Sequence, residues 1–430
     1  MMRLDPVTLR GEVVIPPSKS LSHRALIAAG LSEGECRISP VIFSEDISAT
    51  AEGLRGMGCR MEKEEPGTDH GFTLRVQGVG MPARLPERID CRESGSTLRF
   101  LLPITRLSEK ETSFLGRGKL VERPLEEYYR LFERQGIFYE NQRGKLPLTT
   151  RGRWQGGEFS LRGDVSSQFI SGLLMSLPLL EKDSEILLTT ELESSSYVEL
   201  TMQVLAHFGI RIEKRARGNY FIPGGQRYQA RDYRIEGDFS QAAFWLVAGA
   251  ISRDEENGIH CLGLREDSLQ GDRAVVDILR RIGARLEYSR EGGLRVRPGR
   301  LRGTEVDARD IPDLVPVLAV ALCLSEGSSV IRGIRRLRLK ESDRISTTVQ
   351  NLSALGAKIR EIGDEIHIEG LSSLRGGEVS SYGDHRLAMA MAVASTRCRE
   401  QVRLFGEGDV AKSYPHFFED FRRLSEKNGG

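Results

Sequence analysis

Six short polar clusters in this chain run directly into apolar stretches of helical period, and their residues are of the types that hold anions. Ser20, Ser96, Ser167, Ser240, Asp313 and His385 mark the clusters, with gaps of 76, 71, 73, 73 and 72 residues. A second series keeps the same period: Asp46, Arg123, Ser195, Asp267, Lys340 and Lys412, with gaps of 77, 72, 72, 73 and 72. A helix start presents unbonded backbone N–H groups and the positive end of the helix dipole. A fold that repeats such starts can aim several of them at one anionic ligand. In PPSKSLSHRA, Lys19 stands before the expected helix, Ser20 can cap it and Arg24 follows one turn later. Together they make a candidate cradle for phosphate or carboxylate, although a cap with two solvated cations accounts equally well for this motif alone.

The remaining clusters carry further candidates. In RESGSTLRF, Gly95 permits close backbone approach to a ligand, and Ser96 and Thr97 offer caps. GDVSSQF supplies Ser166, Ser167 and Gln168, where a cap needs only one of the three, and SSSYVEL adds Ser194. DIPDLVPV places Asp313 at the mouth of an apolar helix, as an N-cap carboxylate or a ligand group. In KESDR, Lys340 and Arg344 are four apart, which on one helix face puts two cations in repulsion that an intervening anion would relieve. Cations at helix starts oppose the dipole. Arg123, Lys340, Arg344, Arg386 and Lys412 are read as five such violations, so function is expected to outweigh helix stability there. His23 and His385 read as satisfied structural histidines.

The elements that must position these residues repeat with them. Each unit reads as strand, helix, strand, helix and a pair of strands, an α/β pattern of six βαβαββ repeats. The second helix of each ends on an apolar residue followed four positions on by glycine: Leu54 to Gly58, Phe132 to Gly136, Leu205 to Gly209, Leu279 to Gly283 and Leu352 to Gly356, with a weak sixth match near Gly429. Glycine there predicts a left-handed C-cap. The first helices are apolar all round, the second amphipathic. Three units make a natural domain. The join is expected between Pro223 and Asp238, where glycine and charge interrupt the apolar pattern.

Composition narrows the function classes. The 430 residues carry 62 basic and 61 acidic side chains and 7% aromatics, which argues against nucleic-acid binding and leaves no field to attract a membrane. No apolar stretch reaches the about 18 residues of a membrane span, and the opening residues hold no apolar signal core, so the protein is expected in the cytoplasm. Cys36, Cys59, Cys91, Cys261, Cys323 and Cys398 form no CxxC pair and the 7 histidines no HExxH motif, so neither disulfides nor a bound metal is expected.

PSKSLSHRA, ESGST, ERP, GDVSSQF, IPD, KESDR, GDHR and AKSYP, in this order and spacing, resemble the 5-enolpyruvylshikimate-3-phosphate synthases over essentially the whole chain. The resemblance implies a two-domain inside-out α/β barrel with three repeats per domain. The domains would be residues 18–234, and residues 1–17 with 235–430, with the active site in the cleft between them. It implies transfer of the enolpyruvyl group of phosphoenolpyruvate to the 5-hydroxyl of 3-phosphoshikimate by a monomer without cofactor. Lys19, Ser20, Arg24, Ser166, Ser167, Gln168, Ser194, Asp313 and Lys340 would bind 3-phosphoshikimate. Lys19, Gly95, Arg123, Gln168, Arg344, Arg386 and Lys412 would bind phosphoenolpyruvate. Asp313 and Glu341 would move protons, with Lys19 assisting. The chain departs from the family pattern at Glu93, Phe100 and Arg336, where Asn, Pro and Asn are common.

The implied ligands carry about −5 to −6 in all, which a nearly neutral chain can hold only by concentrating cations locally. Addition followed by elimination needs two groups of opposite protonation state, and Asp313 as acceptor with Glu341 as donor is the favoured assignment. The nearest alternative is the UDP-N-acetylglucosamine enolpyruvyl transferase. That family carries a reactive Cys in a loop matching FLGRGKLVERP, where this chain has none, and an Asn where Ser20 follows Lys19.

Overall fold

The apolar first helices of the repeats organise the architecture. Lys19–Gly30, Gly95–Thr105 and Ser167–Ser176, and then Phe239–Ala250, Val315–Cys323 and His385–Ser395, are buried along nearly their whole length. Helices apolar on every side are stable only inside a core. The structure, a computed structural model, describes residues 1–68, 71–289 and 292–426. It divides into two compact units: Lys19–Ile235, and Met1–Ser18 with Glu236–Gly430. Each unit holds three of these helices, its own hydrophobic core and, among the described residues, three sheets. The fold is mixed α/β.

The sheets follow one plan. In the second repeat, Arg88–Asp90 pairs in parallel with Thr112–Leu115, which pairs antiparallel with Lys145–Arg151, which in turn pairs antiparallel with Phe138–Gln142. The parallel pair is joined through the buried helix, as parallel strands require, and the antiparallel pair by a tight hairpin. The third and fifth repeats repeat this order.

The first, fourth and sixth repeats borrow strands. Strand Ser32–Val41 finds its parallel neighbours in Tyr228–Gln229 and Tyr233–Arg234, from the far end of the same unit. The segment that reads as an interruption in the sequence therefore holds two short strands. Strand Gly11–Val14 pairs in parallel with Ile259–Leu262. In the sixth sheet Gly377–Ser380 pairs with Val402–Phe405, and Met2–Leu4 lies antiparallel to the latter where other repeats place their own hairpin. Gly429 lies outside the described residues.

The five predicted C-caps form. Gly58, Gly136, Gly209, Gly283 and Gly356 all have positive φ. In each case the next residue's N–H donates to the carbonyl of the apolar residue five positions back, from Cys59 to Leu54 at 3.1 Å through Ala357 to Leu352 at 2.9 Å. This is the Schellman closure. It turns each amphipathic helix back into its hairpin and so fixes where the following strand begins. Among the described residues no helix is long and apolar enough to cross a membrane.

Candidate active site

In the unit Lys19–Ile235, most of the candidate residues sit at the starts of the three buried helices, which hydrogen bonds tie to one another. Lys19 Nζ donates to Asp46 Oδ2 at 2.9 Å. Asp46 also accepts, through its backbone carbonyl, from Thr97 Oγ1 at 3.3 Å, which joins the start of helix Glu45–Gly56 to that of helix Gly95–Thr105. Gln168 Nε2 donates to Ser96 Oγ at 3.0 Å, and Gln168 Oε1 accepts from Arg99 Nη1 at 3.0 Å. Gly95 lies against these groups: a Cβ there would stand 2.6 Å from Arg123 Nη1, 3.1 Å from Arg99 Nη1 and 3.4 Å from Gln168 Oε1. Arg24 is buried, and its guanidinium donates to Thr201 Oγ1, Ser171 Oγ and the carbonyls of Ser20 and Tyr197. The Phe100 ring lies 5.1 Å from its Cζ. Burial pushes the Arg24 pKa down to about 10, and the group stays charged.

Several local expectations give way here. Lys19 and Ser20 both lie within the first turn of helix Lys19–Gly30, so Lys19 does not precede the helix. Ser94, not Ser96 or Thr97, caps helix Gly95–Thr105 by accepting from the Thr97 N–H, which leaves Ser96 to accept from Gln168. Ser166 caps helix Ser167–Ser176 through the Gln168 N–H. Ser194 stands at the start of helix Ser195–His207 with φ 57°, a left-handed backbone uncommon outside glycine, and makes no side-chain cap.

In the other unit, a cluster of carboxylates and cations gathers around Arg344. Its Nε donates to Asp384 Oδ2 at 2.6 Å, its Nη1 to Asp313 Oδ1 at 2.7 Å and its Nη2 to Glu341 Oε2 at 2.8 Å. Both Arg344 and Asp384 are withdrawn from solvent, at 1% and 0% side-chain exposure. Arg386 Nη2 reaches Asp313 Oδ2 at 3.0 Å, and Lys340 Nζ reaches Asp313 Oδ1 at 3.4 Å. Lys412 Nζ stands 3.9 Å from Glu341 Oε1. Burial pushes the Asp313 pKa up, but Arg386, Lys340 and Arg344 together outweigh it and hold the carboxyl well below its ordinary range. Asp313 lies in the short turn Pro312–Leu314 and makes no cap bond.

The dipole argument holds for only part of the set. Arg344 and Arg386 do lie in the first turns of their helices. Arg123 and Lys340, however, follow 3₁₀ turns, Gly118–Glu122 and Arg335–Leu339, and Lys412 ends the turn Glu407–Lys412, at the end where a cation is favoured. Lys340 and Arg344 share no helix face. The anion between them is the protein's own Asp313.

Arg99 and Ser171 are the groups that reading the sequence missed. Arg99 stands in an otherwise apolar helix, and such a charge itself signals a buried partner. Ser171 inside its helix gives no comparable signal. The six cysteines are all buried and unbonded to one another, and burial raises the thiols, Cys59 to about 11 and Cys323 to about 12, so none is an activated nucleophile. His23 Nδ1 pairs with Thr50 Oγ1 at 2.8 Å, but its buried Nε2 has no hydrogen-bond partner among the described residues, so the ring is only half satisfied. Arg336, at a departure from the family pattern, donates to the Arg309 carbonyl at 2.7 Å.

Each three-repeat unit thus gathers cations and hydroxyl or carboxylate groups near the ends of its elements, an arrangement suited to handling anions. The family model for EPSP synthase (3-phosphoshikimate 1-carboxyvinyltransferase) matches residues 5–421. The 3-phosphoshikimate 1-carboxyvinyltransferase of Clostridium novyi (strain NT) is 47% identical over 427 residues, 98% of this chain and 97% of the relative. That of Clostridioides difficile (strain 630) is 45% identical over 435 residues, with the same coverage. The EPSP synthase structure from Acinetobacter baumannii aligns with TM-score 0.83 and 25% identity over 98% of each chain. The enolpyruvyl transferase NikO from Streptomyces tendae shares the fold, with TM-score 0.78 and 18% identity over 99% of this chain and 97% of the other. The chain belongs to the EPSP synthase family.

Proposed function

We propose that the side-chain groups of both units serve one reaction, the transfer of the enolpyruvyl group of phosphoenolpyruvate to the 5-hydroxyl of 3-phosphoshikimate, with release of phosphate. This is the 3-phosphoshikimate 1-carboxyvinyltransferase step of aromatic amino acid biosynthesis through the shikimate pathway. Lys19, Ser20, Arg24, Ser166, Ser167, Gln168, Ser194, Asp313 and Lys340 hold 3-phosphoshikimate. Lys19, Gly95, Arg123, Gln168, Arg344, Arg386 and Lys412 hold phosphoenolpyruvate.

One observation carries the proton assignment: Asp313, held well below its ordinary pKa range, is bonded by three cations, Lys340, Arg344 and Arg386, which this reading also assigns to the substrate anions. An incoming phosphate or carboxylate competes for Lys340, Arg344 and Arg386. As they are shared, the proton affinity of Asp313 rises toward that of a working base. Asp313 then takes the proton of the 5-hydroxyl as its oxygen bonds to C2 of phosphoenolpyruvate, and Glu341 gives a proton to the methylene carbon. In the second step the C2–O bond to phosphate breaks and the methyl group returns a proton to Glu341. The proton on Asp313 leaves with phosphate, so both carboxyls are restored. Lys19 assists by balancing charge on the phosphate.

Phosphate release tests this. It is expected with phosphoenolpyruvate and 3-phosphoshikimate, and not with UDP-N-acetylglucosamine as acceptor. Arg123→Ala and Lys412→Ala should each raise KM for phosphoenolpyruvate at least tenfold, a loss of about 1.4 kcal/mol or more. Unchanged KM in both would refute the phosphoenolpyruvate assignment. The same reading has the enzyme a cytoplasmic monomer acting on free metabolites without metal or cofactor. A sedimentation mass of twice the chain would refute the monomer.

A further inference from the structure

Helix Phe239–Ala250 packs at once against the turn Gly271–Arg273, which carries Asp272, and the turn Pro312–Leu314, which carries Asp313. Its first turn is the polar cluster of the fourth repeat, to which the reaction above gives no part. Asp272 is 2% exposed, and Ser240 Oγ donates to its Oδ2. Its other oxygen, Oδ1, has no hydrogen-bond partner among the described residues. Neither amide atom of Gln241, itself 1% exposed, has one either. A carboxylate buried with one hydroxyl donor and no bonded cation is costly to ionise. The charged groups that face it are Asp313, Asp238 and Arg386. Of these Arg386 is already bonded to Asp313, so the two carboxyls share one guanidinium.

We propose that Asp272 is a positioning residue for the transfer: a buried carboxyl behind Asp313 that holds a proton and, by holding or losing it, sets how strongly Asp313 holds its own. With Asp272 neutral, Arg386 is left to Asp313, which stays a weak base. With Asp272 ionised, the second negative charge competes for Arg386 and raises the proton affinity of Asp313. Burial, with Asp313 and Asp238 adding to it, pushes Asp272 up to about 7. The exchange therefore falls near neutrality.

The inference rests on Asp313 acting as the base, and two measurements on the full chain keep the two apart. The first reads Asp272 without catalysis. A carboxyl raised in the folded state loses stability as pH climbs from its ordinary value of 3.8 to the raised one. The melting temperature of Asp272→Asn minus that of wild type should therefore rise from pH 4.5 to pH 7.5 and then level off. A difference flat across this range overturns the proposal, whatever Asp313 does. The second is the pH profile of kcat from phosphate release. An inflection near neutrality is expected in wild type and absent in Asp272→Asn, and Ser240→Ala, which removes the hydroxyl that donates to Asp272, should move it to higher pH. An inflection that persists in Asp272→Asn, or stays in place in Ser240→Ala, overturns the proposal. A sloping stability difference with no phosphate release in wild type would instead refute the proposed function and leave Asp272 a buried acid of no catalytic consequence.

Discussion

At Gly95 a single methyl group would collide with one guanidinium group and crowd a second, that of Arg99 at 3.1 Å. The nearest atom, Arg123 Nη1, would lie 2.6 Å from it, closer than non-bonded contact allows. Gly95→Ala is expected to displace Arg123, raising KM for phosphoenolpyruvate about tenfold or more while shifting the melting temperature little; steady-state kinetics with a thermal scan checks both. His23 gives a pH prediction. Burial pushes its pKa from 6.5 down to about 3, Lys19 and Arg24 adding to this and Asp46 opposing it. Between those values the unfolded chain binds a proton that the folded chain does not, so stability falls as pH drops through the window and is flat above it. His23→Gln should be less stable than wild type at pH 7, and urea unfolding should show that gap narrowing by about 3 kcal/mol on going to pH 4. The residue types that bind anions were legible at this scale because lysine, arginine and serine at helix starts are few and regularly spaced. Their partners were not. That Asp313 would lie between Lys340 and Arg344 depends on a turn brought beside a helix, which spacing along the chain does not encode.

At the scale of elements, the Schellman glycines are the most local feature and the most readable. Their chemistry is complete within six residues, so an apolar residue followed four positions later by glycine was enough to place all five. Substituting them should separate backbone strain from collision. At Gly136, φ 68°, an added Cβ meets nothing within 4 Å, so Gly136→Ala should cost about 1 to 2 kcal/mol from the left-handed backbone alone. At Gly283, φ 116°, the Cβ would stand 2.3 Å from the Arg300 carbonyl oxygen, so Gly283→Ala should cost about 3 kcal/mol or more. Chemical denaturation of both variants measures the difference. The helix-dipole argument failed for Arg123, Lys340 and Lys412 for the opposite reason. A 3₁₀ turn of five or six residues has no distinct periodicity, so the sequence could not show that these cations end one element rather than begin another.

Across the molecule, the first 18 residues complete a unit whose other residues begin at Glu236. Met2–Leu4 pairs with residues 402–404 where the other sheets place a hairpin strand, and Gly11–Val14 supplies the first strand of the fourth. Deleting residues 1–10 would remove Leu4 and Leu9, both buried, and one strand of a three-stranded sheet. Loss of the two leucines alone should destabilise that unit by about 3 to 6 kcal/mol. Limited proteolysis should then cut first within residues 236–426 and leave a fragment close to Lys19–Ile235 intact. Equal survival of both halves would contradict this.

The sequence by itself determined the six-fold α/β repeat, the buried character of the first helices, the glycine caps and the family, since each depends on residue type and short spacing. Only the tertiary structure decided which carboxylate faces which cation, that Arg344 is held by Asp313, Glu341 and Asp384 together, and that strands from one end of a unit close sheets at the other. Those facts come from packing whole elements against one another, where free energy depends on distances between residues tens to hundreds of positions apart, and no local pattern records such distances.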